Sequence, residues 1–351
     1  MGAKMKIAYV GHTAHNKTLS NEFFTNILKD IGEVRYFSYS PDHDGDGAID
    51  VLTAQILDGQ YDKVIFWQTE EVAKSVVPAL DQRRVILVPM WDGAVTRDGN
   101  FWHQFQGLRF ISFSRKLHET LLICGLRSSY FQYFSEPAPE LDQNIAAGER
   151  TAFFWERRPS EALNLSVVYE QCSLLQVEKL YLHAVPDFTQ DMAQQRLRIL
   201  QLNGESIPIF VSGWMEDKSE KEALVSGKTF YFAPRSIEGI GMGVVEALAR
   251  GQIVVSPDNS TMNEYIGHLS SGILYEPKRP FDIPRLTKSE IKKLSEGAYA
   301  HARFGYERWL KDIERLKSMI RSDQRRWLAT DYGAHFSNQV AKRAHDRLRS
   351  G

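Results

Sequence analysis

Cysteine is nearly missing from this chain: only Cys124 and Cys172 occur, each in apolar surroundings and without a spaced partner. A disulfide framework and a thiolate zinc ribbon are thereby excluded, and a reducing cytoplasm is the expectation. Long apolar runs are missing too. No stretch reaches 18 residues, so no transmembrane helix is expected. The first apolar run, residues 7–10, is too short and too early for the core of a secretory signal. Of ten histidines only His12 and His15 are closely spaced, no cysteine accompanies them, and no metal is expected. Net charge is scarce as well. The 43 Lys and Arg against 44 Asp and Glu leave −1, which argues against a general nucleic-acid binder.

What is present is ordinary globular material. The chain of 351 residues is 43% hydrophobic, enough for two cores, and its length suggests two domains. The near-zero charge conceals a split. Residues 278–351 hold 18 basic and 9 acidic residues, so the remainder carries about −10. A basic end on an acidic body suits an anionic partner, and an anionic membrane surface is the expectation. The ordinary alternative is long helices whose outer faces are solvated by Lys and Arg.

Strand and helix signals alternate. Strands are expected at 6–10, 34–39, 63–67, 84–88 and 109–112, with helices near 19–31, 51–57, 70–80 and 115–124. Residues 135–150 carry Pro137, Pro139 and Gly148 and read as a linker. Alternation then restarts, with strands at 151–155, 179–184, 208–212, 229–233, 253–256 and 272–275. From residue 288 the chain is almost wholly helical. This pattern predicts an α/β protein of two doubly wound, Rossmann-like domains facing a central cleft, with ligand at the strand C-termini. The divisions expected are 1–145 and 146–329, with a final helix at 330–351 returning to the first domain.

Chemistry concentrates in residues 231–251. A buried strand ends at Pro234, a loop brings Glu238, and Gly239, Gly241 and Gly243 let backbone approach a ligand before a helix begins. The helix N-terminus suits a diphosphate. Glu246 follows eight positions after Glu238, and both carboxylates can accept hydroxyls of a sugar and a ribose. The same glycines fail the dinucleotide fingerprint, because Val244 and Glu246 stand where a third glycine is needed. Residues 42–53 imitate a calcium loop but place Thr53 where a bidentate Glu is required.

The segment resembles the Glu-x7-Glu signature of retaining GT-B glycosyltransferases, family 4 above all. The match runs through Pro234, Glu238, Gly239, Gly241, Glu246, Ala247, Ala249, Gly251, Val254 and Val255, then Glu264 and residues 272–277. The resemblance implies a nucleotide-sugar donor as substrate, no cofactor, and Glu238 beside the donor sugar. It implies Ile240, Met242 and the glycines cradling sugar and diphosphate, Glu246 on the ribose, and Glu264 bracing the site. It places a basic pair after the first strand of the second domain. Here Arg157 and Arg158 stand in that loop without the usual Lys-Gly. Trp214 falls where a nucleobase is held. Gly11 and His12, with His15 and Asn16, fall in the donor-facing turn of the first domain. Asp92 or Trp91 stands where relatives place a histidine, with His103 further on.

The implied activity is retaining transfer of a sugar to a hydroxyl acceptor, a glycan or lipid-linked glycan in surface polysaccharide or glycoconjugate synthesis. The alternatives are a donor-binding but inactive subunit supporting a partner transferase, and a GT-B sugar-nucleotide epimerase.

Overall fold

The computed structural model describes residues 4–13, 20–39, 47–147, 149–160, 163–187, 189 and 191–322. Its first half holds β1 (Met5–His12), α1 (Glu22–Ile31), β2 (Gly32–Tyr39), α2 (Ala48–Asp58), β3 (Lys63–Trp67) and α3 (Glu70–Val76). There follow β4 (Val85–Val88), α4 (Trp91–Ala94), α5 (Gly99–His103), β5 (Arg109–Ser112), α6 (Arg115–Ile123) and β6 (Arg127–Tyr130). The six strands form one parallel sheet in the order β2-β1-β3-β4-β5-β6.

A connecting segment containing α7 (Gln143–Ala147) leads to the second sheet. Its elements are β7 (Thr151–Trp155), α8 (Leu165–Leu174), β8 (Lys179–His183), α9 (Asp191–Leu202), β9 (Ile209–Ser212) and α10 (Lys218–Val225). β10 (Phe230–Phe232), α11 (Met242–Ala249), β11 (Ile253–Pro257), β12 (Gly272–Tyr275) and α12 (Lys288–Arg321) complete it. The order is β12-β11-β10-β7-β8-β9, again parallel throughout. The doubly wound α/β architecture expected from the alternation is present in both halves.

The inner strands are predominantly apolar, as strands covered on both faces tend to be. In the first sheet Val64, Phe66, Val85, Leu87 and Phe110 bury one face. Ile65, Trp67, Ile86, Val88 and Ile111 bury the other, in a core that also takes in Phe153, Val244 and Trp309. That second core is shared by both lobes. The 34-residue helix α12 runs through it. Its start is fixed by a capping box of Thr287 and Glu290, and Ile291 and Leu294 lie in the core of the second lobe. Its end lies on the first lobe, where Arg109 Nη1 donates to Met319 O at 2.9 Å and Lys63 Nζ to Ser322 O at 3.0 Å. Cations on the last carbonyls complement the helix dipole. The crossing between lobes is thus made by α12, whereas residues 330–351 lie outside the described residues.

Three local features differ from expectation. β6 was not foreseen, because Arg127-Ser-Ser-Tyr130 is polar and lies at a sheet edge. The helix expected over 70–80 stops at Val76 and tightens into a 3₁₀ turn carrying Pro78, which has no N–H to continue an α-helix. The short helices α4 and α5 stand in a stretch without helical periodicity. No helix among the described residues is long and apolar enough to cross a membrane.

Candidate active site

Each sheet reverses its winding once, between β1 and β3 and between β7 and β10. Such switch points open a crevice at the strand C-termini. In the second lobe the segment leaving β10 fills the edge of that crevice. Thr261 Oγ1 donates to the carbonyls of Glu238 (2.6 Å) and Gly239 (2.9 Å) and fixes the loop. Gly241 has φ +76°, a left-handed conformation that glycine adopts without steric cost. A Cβ on Gly243 would collide with the Tyr231 hydroxyl. Ile240 is buried in the shared core, so only its backbone is offered to a ligand.

Gly241 is also the N-cap of α11, and no side chain caps that helix. Its neighbours are closed. Asn164 caps α8, whose Leu165 N–H donates to Glu156 Oε1 at 2.7 Å, and Asp217 caps α10. Of these three helices, α11 is the one whose leading amides, with Met242 and Gly243 in its first turn, are left for a bound anion.

The charged groups around this turn are mostly paired. Glu238 contacts Arg235 Nε at 2.6 Å, and each side chain is 17% exposed. Burial pushes the Glu238 carboxyl upward, Asp92 adds to that, and Arg235 and Arg157 oppose it. Arg157 and Arg158 both bind Asp187, at 2.9 Å and 2.6 Å. The pair of guanidiniums holds the Asp187 carboxyl below its usual range against the opposing effect of burial. Glu246 is the freer carboxylate. It is 43% exposed and only 3.9 Å from Arg250, which is bound bidentately to Glu222 at 2.7 Å.

The first lobe meets this turn at Asp92. A Cβ on Gly239 would lie 3.1 Å from Asp92 Oδ1 and 3.1 Å from Met90 Cβ, so both lobes abut there. Glu238, Gly239 and Asp92 thus come together across the cleft. Trp91 precedes Asp92 in α4, half-buried. Gly11 is buried and His12 half-buried at the end of β1, while His15 and Asn16 lie outside the described residues. His103 is exposed and its Nδ1 faces Gln106 Nε2 at 3.1 Å. Trp214, in the loop after β9, is 72% exposed.

Glu264 lies where the two lobes meet. Its carboxylate accepts Ser114 Oγ at 2.9 Å and the N–H groups of Arg115 (2.5 Å) and Lys116 (3.1 Å). It therefore closes the N-terminus of α6 from the opposite lobe, where an anion is favoured. Sequence reasoning missed Asp187, Lys221 of α10 and Glu70 of α3, none of which belongs to a local motif.

The family model described as "Glycosyl transferases group 1" matches residues 161–302, within the second lobe. No curated protein matches the chain. Among solved structures, Anabaena Alr3699/HepE in complex with UDP and glucose is similar at 15% identity and TM-score 0.59, over 90% of this chain and 100% of that one. Sucrose-phosphate synthase from Thermosynechococcus elongatus is similar at 12% identity and TM-score 0.65, over 90% and 99%. A glycosyltransferase from Rickettsia africae ESF-5 gives 12%, 0.63, 90% and 98%. With two facing six-stranded parallel sheets, the chain has the GT-B fold.

Proposed function

We propose that the chain is a retaining glycosyltransferase that moves a sugar from a nucleotide-sugar donor to a hydroxyl acceptor. The observation that carries this reading is the uncapped N-terminus of α11, preceded by Glu238 and the glycine turn and facing Asp92 across the cleft. UDP in a solved structure of the same fold, and the family model over the second lobe, support it.

In this reading the donor diphosphate lies on the α11 amides, and its negative charge grows as the bond to the sugar breaks. Fixed dipoles and cations aimed at that charge lower the barrier. Arg157 and Arg158, already oriented by Asp187, supply the cations. Glu238 lies beside the oxocarbenium-like sugar, and Glu246 accepts the ribose hydroxyls. The acceptor hydroxyl arrives on the face the nucleotide leaves and passes its proton to a donor phosphate oxygen. Asp92 lies on the acceptor side. Closure of the lobes excludes water. The acceptor proposed is a glycan or lipid-linked glycan, and the basic stretch 278–351 supports one held at an anionic membrane face.

A thermal-shift panel of UDP-, GDP- and ADP-sugars identifies the donor. Donor turnover lost in Glu238→Ala, with the product anomer matching that of the donor by NMR, is the expected result. An inverted product would overturn retention, and no stabilisation by any nucleotide sugar would overturn the reading altogether.

A further inference from the structure

We infer that Lys221 is a nucleotide-binding residue, supplying from α10 a cation to the donor diphosphate. The inference rests on the donor reading above and adds a residue that no motif marks.

Trp155 ends β7 at the switch point of the second sheet. Its indole N–H is held by Val185 O at 2.9 Å, which fixes the ring. Two cations lie on that ring: Arg157, its Cζ 4.9 Å from the centroid, and Lys221, its Nζ at 4.5 Å. A cation over an indole face is attracted by the ring quadrupole. The other cations of the crevice each make an ion pair with a carboxylate, Arg157 and Arg158 sharing one. Arg157 and Arg158 have Asp187, Arg235 has Glu238 and Arg250 has Glu222. The Lys221 ammonium alone of this group makes neither a hydrogen bond nor an ion pair among the described residues, although its side chain is half-buried.

A lysine with four flexible carbons normally carries its charge to water. Here the charge is turned inward, next to two other cations. Burial pushes its pKa down, and Arg157 and Arg250 act in the same direction; Glu246 is the carboxylate that opposes them most. The crevice therefore carries uncompensated positive charge on an aromatic floor, beside the carboxylate proposed for the ribose. A diphosphate next to that ribose supplies the missing counter-charge.

Calorimetric titration with UDP, ADP and GDP, and with the matching nucleosides, tests this on the full chain. Lys221→Met keeps most of the stem and removes the charge. It should weaken diphosphate binding about tenfold, leave nucleoside affinity within about twofold, and reduce the salt dependence of diphosphate affinity. Lys221→Arg should restore most of the loss. An unchanged diphosphate affinity, or an equal loss for nucleoside and diphosphate, would overturn the assignment while the donor reading stands. If the wild-type chain binds none of the three diphosphates, the donor reading fails and the role of Lys221 fails with it.

Discussion

Glu70 is the first residue of α3, directly after β3 at the switch point of the first sheet. Its Oε1 is buried without a hydrogen-bond partner. Burial is the main cause raising its pKa from 4.5 to about 7, with Asp92 and Glu71 adding to it. Arg97 opposes the rise, but its guanidinium is bound to Glu71 at 2.6 Å. The folded protein therefore keeps a proton that the unfolded chain releases between pH 4.5 and 7. Stability contributed by this group falls as pH rises through that window. Relative to acid pH, this raised pKa lowers the stability of the fold by about 3 kcal/mol at pH 8 and by under about 1 kcal/mol at pH 5. Glu70→Gln keeps the shape and removes the titration. Its stability relative to wild type should improve by roughly 2–3 kcal/mol between pH 5 and pH 8, which is about 5–10 °C of unfolding temperature for a lobe of this size. Thermal unfolding followed by tryptophan fluorescence at both pH values reads the change directly. A difference between variant and wild type that does not vary with pH would refute the argument.

Glu264→Ala should destabilise the chain by about 2–3 kcal/mol, because it strips three donors at the α6 N-terminus of their acceptor, and Glu264→Gln should cost less; denaturant midpoints distinguish them. Trp214→Ala removes an exposed side chain, so the unfolding temperature should hold while nucleoside affinity falls about tenfold if the indole stacks on the base; equal affinity in a binding titration would count against that role. Gly241→Ala forces a Cβ into a left-handed conformation at a cost of about 1–2 kcal/mol and tilts the leading amides of α11. It should lower both stability and diphosphate affinity, and a variant that loses neither would show that the turn tolerates side chains.

The inner strands and the glycine turn could be read in advance for the same reason: each is dictated by its own few residues. β4, Val-Ile-Leu-Val, can only be a strand covered on both faces. Gly241 and Gly243 stand where a left-handed conformation and a close approach to Tyr231 favour glycine. β6 carries no such constraint, since its register comes from β5 and from a Ser112–Ser128 hydrogen bond of 2.8 Å. The charges that orient the site were hidden for a different reason. Asp187 lies thirty residues from Arg157, and Glu264 meets the α6 N-terminus across 149 residues and two lobes. Lys221 stands in Lys-Ser-Glu-Lys-Glu, which reads as a solvated helix until β7 brings Trp155 beneath it. In the proposed reading, local sequence thus fixes where the donor's anion docks, through backbone that bends and approaches closely. How strongly it is held depends on pairings between segments far apart in the chain. Those pairings exist only once the second sheet has formed, so substitutions at Asp187 and Lys221 should alter binding while leaving the motif intact.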